Sequence, residues 1–205
     1  SKVQSYNYTL ADEQEGKVFE ERIRSNTIDD QCIVGVSYNL EYKMETYSTS
    51  DVGFVSQYFH QIINGPEAYE FFDSQNLSQV TVGVIDSGVD TRHEDSGNGA
   101  NFNQSSDCDT ICHWHGTHVA GIINGRINNS KGGRGIAPNA YIYSYQVGDK
   151  NGSIKTSDLV NALQLARVHR VEILNMSLGG SGIWDYAVQD GIIGNIAQGA
   201  VVVVA

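Results

Sequence analysis

Two residues of this chain have the types and neighbours needed for acyl-transfer chemistry. Asp86 directly follows an apolar run at residues 82–85, and His115 begins the segment HGTHVAG at residues 115–121, where a helix is predicted. A carboxylate can orient an imidazole, and an oriented imidazole can take the proton of a hydroxyl nucleophile. The pair therefore predicts two of the three members of a catalytic triad, the carboxylate and the base. These two residues do not identify the third member, the nucleophile.

The elements that must position this pair follow a regular alternation from about Asp51 onwards. Apolar runs predict strands, and apolar residues at helical spacing predict the helices between them. The predicted strands are 79–85, 140–147, 171–176 and 200–204, and the predicted helices are 117–124, 158–169 and 185–197. This pattern predicts an α/β fold of three layers, with helices on both faces of a mainly parallel sheet. Asp86 then lies at the carboxyl edge of the sheet, where open α/β folds place their sites.

The composition argues against several classes of partner. The 205 residues carry 13 basic and 24 acidic side chains, which gives a formal net charge of −11. This charge argues against binding to nucleic acid or to an anionic membrane surface. No apolar run is long enough to span a bilayer, and the first residues lack the apolar region of a signal peptide. We expect an excerpt or a processed product, and several Asn-x-Ser/Thr triplets favour a secreted protein.

Several segments resemble the subtilisin-family serine endopeptidases, the subtilases, in sequence, order and spacing. They are VIDSGVD (84–90), HGTHVAG (115–121), GIAP (135–138), NMSLGG (175–180) and VVVVA (201–205). The resemblance covers residues 51–205 and implies the N-terminal part of a subtilisin-like peptidase domain, incomplete at its C-terminal side. It implies that Asp86 orients the imidazole, and that His115 acts first as general base and then as general acid.

The same resemblance implies that two further parts of the site lie after Ala205. These are the Asn that binds the oxyanion and the nucleophilic Ser, so the 205 residues alone are predicted to be inactive. Ser177 is not assigned as the nucleophile, because lying near a strand end is not enough for that role. The alternative function is a non-catalytic pseudoprotease or peptide-binding module with the same fold.

The resemblance also implies a substrate cleft between two extended segments. The matching residues are Ser177, Leu178 and Gly179 on one edge and Gly152, Ser153 and Ile154 on the other. A polypeptide substrate inserted between them would gain main-chain hydrogen bonds. Ile154 stands where the family often has Gly, which predicts narrower outer subsites.

A structural calcium ion is a further implication of the resemblance. Residues 127–133 are similar to the subtilase loop that surrounds calcium with carbonyl oxygens and an Asn side chain. The implied ligands are Asp95, Ile127, Asn129, Lys131 and Gly133. Oxygen ligands of this kind suit a hard cation. The alternative is a plain polar loop, since Asn, Ser and Gly are common turn residues.

The chain departs most from the family just before His115. Trp114 stands where the family has a small residue, and we expect its ring to form part of the cleft wall or to shield the histidine. Cys108 and Cys112 are spaced for a small disulfide loop, or they remain two free thiols. Zinc bound by these cysteines and the neighbouring histidines is another alternative, although the spacing is too short for a standard zinc finger.

Residues 1–50 differ in pattern from the rest of the chain. A helix is predicted at 10–24 and a strand at 32–38. This segment is similar to the C-terminal part of a subtilase propeptide, which binds its own catalytic domain as an intramolecular inhibitor. We therefore expect a maturation cut between Lys43 and Gly53.

Overall fold

The computed structural model of the chain describes residues 48–73, 75, 78–103, 113–180 and 185–205. Residues 1–47, most of the segment 1–50 that is predicted to be propeptide-like, lie outside this described part, and so do Cys108 and Cys112.

Strands and helices alternate through the described part of the chain. The strands are β1 (Thr81–Asp86), β2 (Gly99–Asn103), β3 (Tyr141–Gln146), β4 (Ile173–Met176) and β5 (Val201–Val204). The helices are α1 (Phe59–Ile62), α2 (Gly65–Asp73), α3 (Trp114–Asn124), α4 (Thr156–His169) and α5 (Tyr186–Ala197), and a 3-10 turn lies at Phe54–Ser56. Within the described residues, no helix has the length and apolar character needed to cross a membrane.

The strands form one sheet in the order β2-β3-β1-β4-β5. Every neighbouring pair in this sheet is parallel. Each connection must therefore return from the carboxyl end of one strand to the amino end of the next. Helices pack against both of its faces. The predicted three-layer α/β fold with a parallel sheet is therefore confirmed.

The central strand β1 contributes side chains to both layers of the core. Val82 and Val84 pack in a cluster with Ala120 of α3, whereas Ile85 packs in a second cluster with Leu163 of α4. All of these apolar side chains are buried, and burying one Val, Ile or Leu side chain stabilises the fold by about 1.5–3 kcal/mol. Because side chains alternate along a strand, Asp86 falls on the same face as Val82 and Val84. The sheet therefore directs the carboxylate towards the layer that contains α3.

The structure differs from the sequence-based prediction at two places near the site. β2 was not predicted, and its pairing with β3 explains why a segment without any β-branched residue is extended. Helix α3 begins at Trp114 rather than at Thr117, because His113 provides the cap at its N-terminus. His115 therefore lies inside the first turn of the helix.

A buried polar cluster connects α1 and α2 to the sheet domain. The imidazole of His60 is fully buried, and its Nδ1 accepts a hydrogen bond from the Tyr69 hydroxyl. Its Nε2 donates to the carbonyl oxygen of Arg134 at 3.2 Å, so the neutral ring has a partner at each nitrogen. The Arg134 guanidinium lies 3.5 Å from the centre of the Tyr69 ring. Burial, and to a smaller extent the Arg134 charge, lowers the pKa of His60 below its usual value of 6.5.

We predict that His60 makes folding stability fall in acid. Its pKa is about 6.5 in the unfolded chain and lower in the folded one, so its stabilising contribution is present above pH 6.5. That contribution is lost as the pH falls from 6.5 through the folded-state pKa. Urea unfolding at pH 7.5 and 5.5 should show a smaller pH-dependent loss in His60→Gln than in the parent protein. An unchanged loss in the variant would contradict the prediction.

Candidate active site

The structure brings Asp86 and His115 into direct contact. Asp86 ends β1, and its side chain is only 4% exposed. The Nδ1 atom of His115 lies 2.9 Å from each carboxylate oxygen of Asp86. A carboxylate only accepts hydrogen bonds, so Nδ1 carries a proton and donates a hydrogen bond to Asp86. The His115 side chain is 42% exposed, and among the described residues its Nε2 has no hydrogen-bond partner. When the ring is neutral with its proton on Nδ1, Nε2 has a free lone pair and is available as a base.

Ser87 connects the end of β1 to the start of α3. Its backbone N–H donates to Oδ1 of Asp86 at 2.7 Å. Its hydroxyl lies 3.1 Å from the same Oδ1 and 2.9 Å from the carbonyl oxygen of His113, either of which can accept its proton. The hydroxyl oxygen in turn accepts from the Gly116 N–H at 3.0 Å. One serine thus binds the carboxylate and the helix that carries the imidazole.

The first turn of α3 is held close to the loop that follows β1. The Nδ1 atom of His113 accepts the backbone N–H of His115 at 3.3 Å, which caps the helix. A Cβ atom on Gly116 would lie 2.4 Å from the carbonyl oxygen of Gly88 and 3.1 Å from Oδ1 of Asp86. Only glycine allows the helix to approach Asp86 this closely.

Trp114 is an exposed aromatic residue beside the pair. Its side chain is 65% exposed, and its ring centre lies 5.9 Å from that of His115 and 6.0 Å from that of His118. The indole thus stands next to the imidazole on the solvent side of the helix.

Two supporting residues were missed by sequence reasoning. Ser87 was seen only as a neighbour of Asp86, and His113 only as a possible zinc ligand. Because a helix cap is the residue just before the first helical position, placing the start of α3 at Trp114 would have identified His113. The role of Ser87 has no comparable signal in the sequence, since it depends on the distance between β1 and α3 in the folded protein.

One predicted cleft edge, Ser177–Gly179, directly follows β4. Leu178 packs against the core cluster that contains Ile85, and Gly179 is exposed. The Asn175 amide donates to the Ser177 hydroxyl at 2.9 Å. In the described part of the chain, residues 177–179 form no backbone–backbone hydrogen bond, so their main chain is available to another extended segment.

The other predicted edge, Gly152–Ile154, lies in a tight turn after β3. The Asp149 carboxylate accepts the backbone N–H groups of Asn151 and Ser153, each at 2.8 Å. Ile154 forms an antiparallel bridge with Gly148, and its side chain packs against the same core cluster as Leu178. Both predicted edges therefore rest on one core.

Two carboxylates hold the predicted calcium loop, residues 127–133. Asp51 accepts the backbone N–H groups of Asn128 at 2.8 Å and Asn129 at 2.9 Å. Asp95 accepts the Asn129 side-chain amide at 2.8 Å and the Gly133 N–H at 3.1 Å. The amide oxygen of Asn129 accepts the Lys131 N–H at 2.9 Å. The loop thus wraps closely around the Asp95 side chain.

The donor set of this loop fits a hard cation. The backbone is left-handed at Asn128, Ser130 and Gly132, with φ values of 57°, 63° and 43°, so its peptide groups turn at alternate residues. Among the described residues, the carbonyl oxygens of Ile127, Lys131 and Gly133 accept no hydrogen bond. These oxygens and the Asp95 carboxylate are the ligand types that calcium prefers.

The zinc alternative receives no support from the histidines near His115. Within the described ranges, His, Cys, Asp and Glu side chains form no group of three or more that would hold a metal ion. Cys108 and Cys112, the two cysteines of the zinc alternative, lie outside those ranges.

Comparisons with known proteins point to one family. The model of the subtilase family matches residues 78–205. Subtilisin E of Bacillus subtilis is 39% identical over 136 residues, which cover 60% of this chain and 34% of that protein. Halolysin of Haloferax mediterranei is 32% identical over 143 residues, which cover 65% of this chain and 27% of that protein. The chain therefore spans about a third or less of the length of these two relatives.

A solved structure agrees with this assignment. A protease from Pseudoalteromonas arctica superimposes with a TM-score of 0.66 and 28% sequence identity. The match covers 76% of this chain and 58% of that one.

We predict that Gly116→Ala separates His115 from Asp86. The added methyl group would overlap the Gly88 carbonyl, so α3 must move away, at a cost of about 1–3 kcal/mol in unfolding free energy. The low-field NMR signal of the hydrogen-bonded Nδ1 proton should weaken or disappear. Gly121→Ala is the matched control in the same helix, because its Cβ would meet no atom within 4 Å. Equal behaviour of the two variants would contradict the prediction.

Proposed function

The chain belongs to the subtilase family, and on this premise we propose that the protein is a serine endopeptidase that hydrolyses peptide bonds in polypeptides. The observation that carries the proposal is the contact of Nδ1 of His115 with both oxygens of Asp86 at 2.9 Å. This contact fixes the tautomer that leaves Nε2 of His115 free to accept a proton.

The nucleophile in this proposal is a serine that follows Ala205. Subtilisins carry their catalytic residues in the order Asp, His, Ser, and Asp86 and His115 supply the first two. Ser87 is excluded because its hydroxyl already joins Asp86 to α3 on the Nδ1 side of the imidazole.

The reaction then proceeds by proton transfer through one imidazole. Nε2 of His115 takes the serine proton while the serine oxygen bonds to the substrate carbonyl carbon. The protonated imidazole, stabilised by the Asp86 carboxylate, gives that proton to the leaving amine as the peptide bond breaks. Water then attacks the acyl-enzyme with the same imidazole as base, which releases the acid and restores the serine.

The substrate in this proposal is an extended polypeptide. The unpaired main chain of Ser177–Gly179 can accept it as an added strand, and the turn at Gly152–Ile154 would provide the opposite edge. Main-chain pairing of this kind is independent of side chains, so it supports a polypeptide substrate of broad sequence.

The test of the proposal is Asp86→Asn in the complete protein. We expect kcat to fall on the order of 10⁴-fold, because the amide no longer holds the imidazole in the required tautomer. Hydrolysis of a peptide substrate, with labelling by a fluorophosphonate probe, measures the effect.

Asp90→Asn is the control, since Asp90 lies in the next loop and pairs with Arg92 rather than with His115. It should keep the parental rate. If the parent protein neither hydrolyses peptides nor reacts with the probe, the endopeptidase proposal fails and a pseudoprotease is favoured.

We also propose that calcium stabilises the loop at residues 127–133. The ion would be held by the Asp95 carboxylate, the Asn129 side chain and the carbonyl oxygens of Ile127, Lys131 and Gly133. It would supply only structural stability there, because the loop is not part of the Asp86 and His115 contact. Support comes from the all-oxygen donor set and the left-handed turns that shape the loop.

The calcium proposal predicts a change in thermal stability. At a calcium concentration about 100 times Kd, binding should stabilise the folded protein by about 2.7 kcal/mol relative to the same protein in EGTA. The rise in Tm should be lost in Asp95→Asn. Glu94→Gln is the control, because this neighbouring carboxylate is exposed and pairs with Nζ of Lys131. Equal Tm values of the parent protein in calcium and in EGTA would overturn the proposal.

A further inference from the structure

His113 contacts the candidate site through both its side chain and its main chain. Its backbone is extended, with φ −150° and ψ 151°, and its Nδ1 accepts the N–H of His115 at 3.3 Å. Its carbonyl oxygen lies 2.9 Å from the Ser87 hydroxyl, which also touches Asp86. One residue thus holds the backbone of the base and the serine that supports the carboxylate.

We propose that His113 is a positioning residue for His115, and that its helix cap is released when its imidazole takes up a second proton. This inference rests on the proposed endopeptidase function. An imidazole accepts a hydrogen bond only through an unprotonated nitrogen, so the cap requires a neutral ring with its proton on Nε2. In a doubly protonated ring, the Nδ1–H of His113 faces the backbone N–H of His115, so neither group can accept a hydrogen bond. The positive charge of the ring also faces the positive end of the helix dipole.

The ring is accessible to protons and is surrounded by other titratable groups. His113 is only partly buried and lines a pocket of about 690 Å³ beside α3. Among the described residues, the titratable groups that share this pocket are Asp90, His93 and Asp95 from the loop after β1, and His118 from α3. Asp90 is paired with Arg92, and Asp95 is bound by Asn129 and Gly133. The ring of His113 also lies 5.1 Å from that of Trp114.

Loss of the cap acts on the catalytic base rather than on substrate binding. His115 is in the first turn of α3, so loosening that turn moves its ring relative to Asp86. The predicted cleft edges at 152–154 and 177–179 lie on other elements. The effect should therefore appear in kcat and leave KM unchanged.

The experiment compares His113→Ala and His113→Asn in the complete protein. His113→Ala removes the cap, and we expect kcat at about pH 8 to fall about fivefold with no change in KM. A second proton on the ring removes the cap from the parent protein as well, so the difference should shrink as the pH is lowered. Asn caps helices and has no titratable side chain, so His113→Asn should restore kcat at about pH 8 and keep its cap as the pH is lowered, unlike the parent protein.

His118→Asn is the matched control, since this imidazole lies on the same helix and beside the same indole but is not the cap of α3. It should keep the parental pH profile. A parental kcat in His113→Ala, or a parent-to-variant ratio that is constant with pH, would overturn the inference.

An NMR measurement separates this inference from the proposed function. In the parent protein at neutral pH, ¹⁵N shifts should show Nδ1 of His113 unprotonated and Nδ1 of His115 protonated. A protonated Nδ1 on His113 would overturn the inference, even in a protein without peptidase activity. Absence of activity with the expected shifts would instead overturn the proposed function alone.

Discussion

The structure depends on a buried carboxylate that must be paired. Asp86 is 4% exposed at the end of β1, and an unpaired charge in such a position costs several kcal/mol. Its oxygens accept the Ser87 N–H and the His115 Nδ1–H, and the Ser87 hydroxyl lies within reach. The need to satisfy this one group explains the serine after the strand and the helix start beside it. It also explains the glycine that allows the two to approach.

The sequence predicted the layers of the fold because they follow from periodicity. The strand at β1 was recognised from its apolar run, which also placed Asp86 at its carboxyl end. Helix α4 followed from its apolar spacing, and Leu159, Leu163 and Ala166 are all buried. These features depend on local side-chain order, so one sequence was enough to predict them.

Features decided by tertiary contact could not be predicted in this way. β2 is extended because it pairs with β3, although four of its five residues have low β-propensity, namely Gly99, Ala100, Asn101 and Asn103. The burial of His60 depends on Tyr69 and on the distant Arg134 carbonyl. In each case, the partner is separated in sequence, and no spacing within the segment indicates it.

The two histidines at the start of α3 show why residue type alone does not determine chemistry. His115 faces a carboxylate, which requires a donor, so its proton lies on Nδ1 and its Nε2 is free. His113 faces a backbone N–H, which requires an acceptor, so its Nδ1 must be unprotonated. The same side chain thus takes opposite tautomers within one helical turn. The neighbouring group selects each tautomer, and the position of α3 against β1 selects the neighbour. The base is therefore defined by the packing of these two elements rather than by its motif.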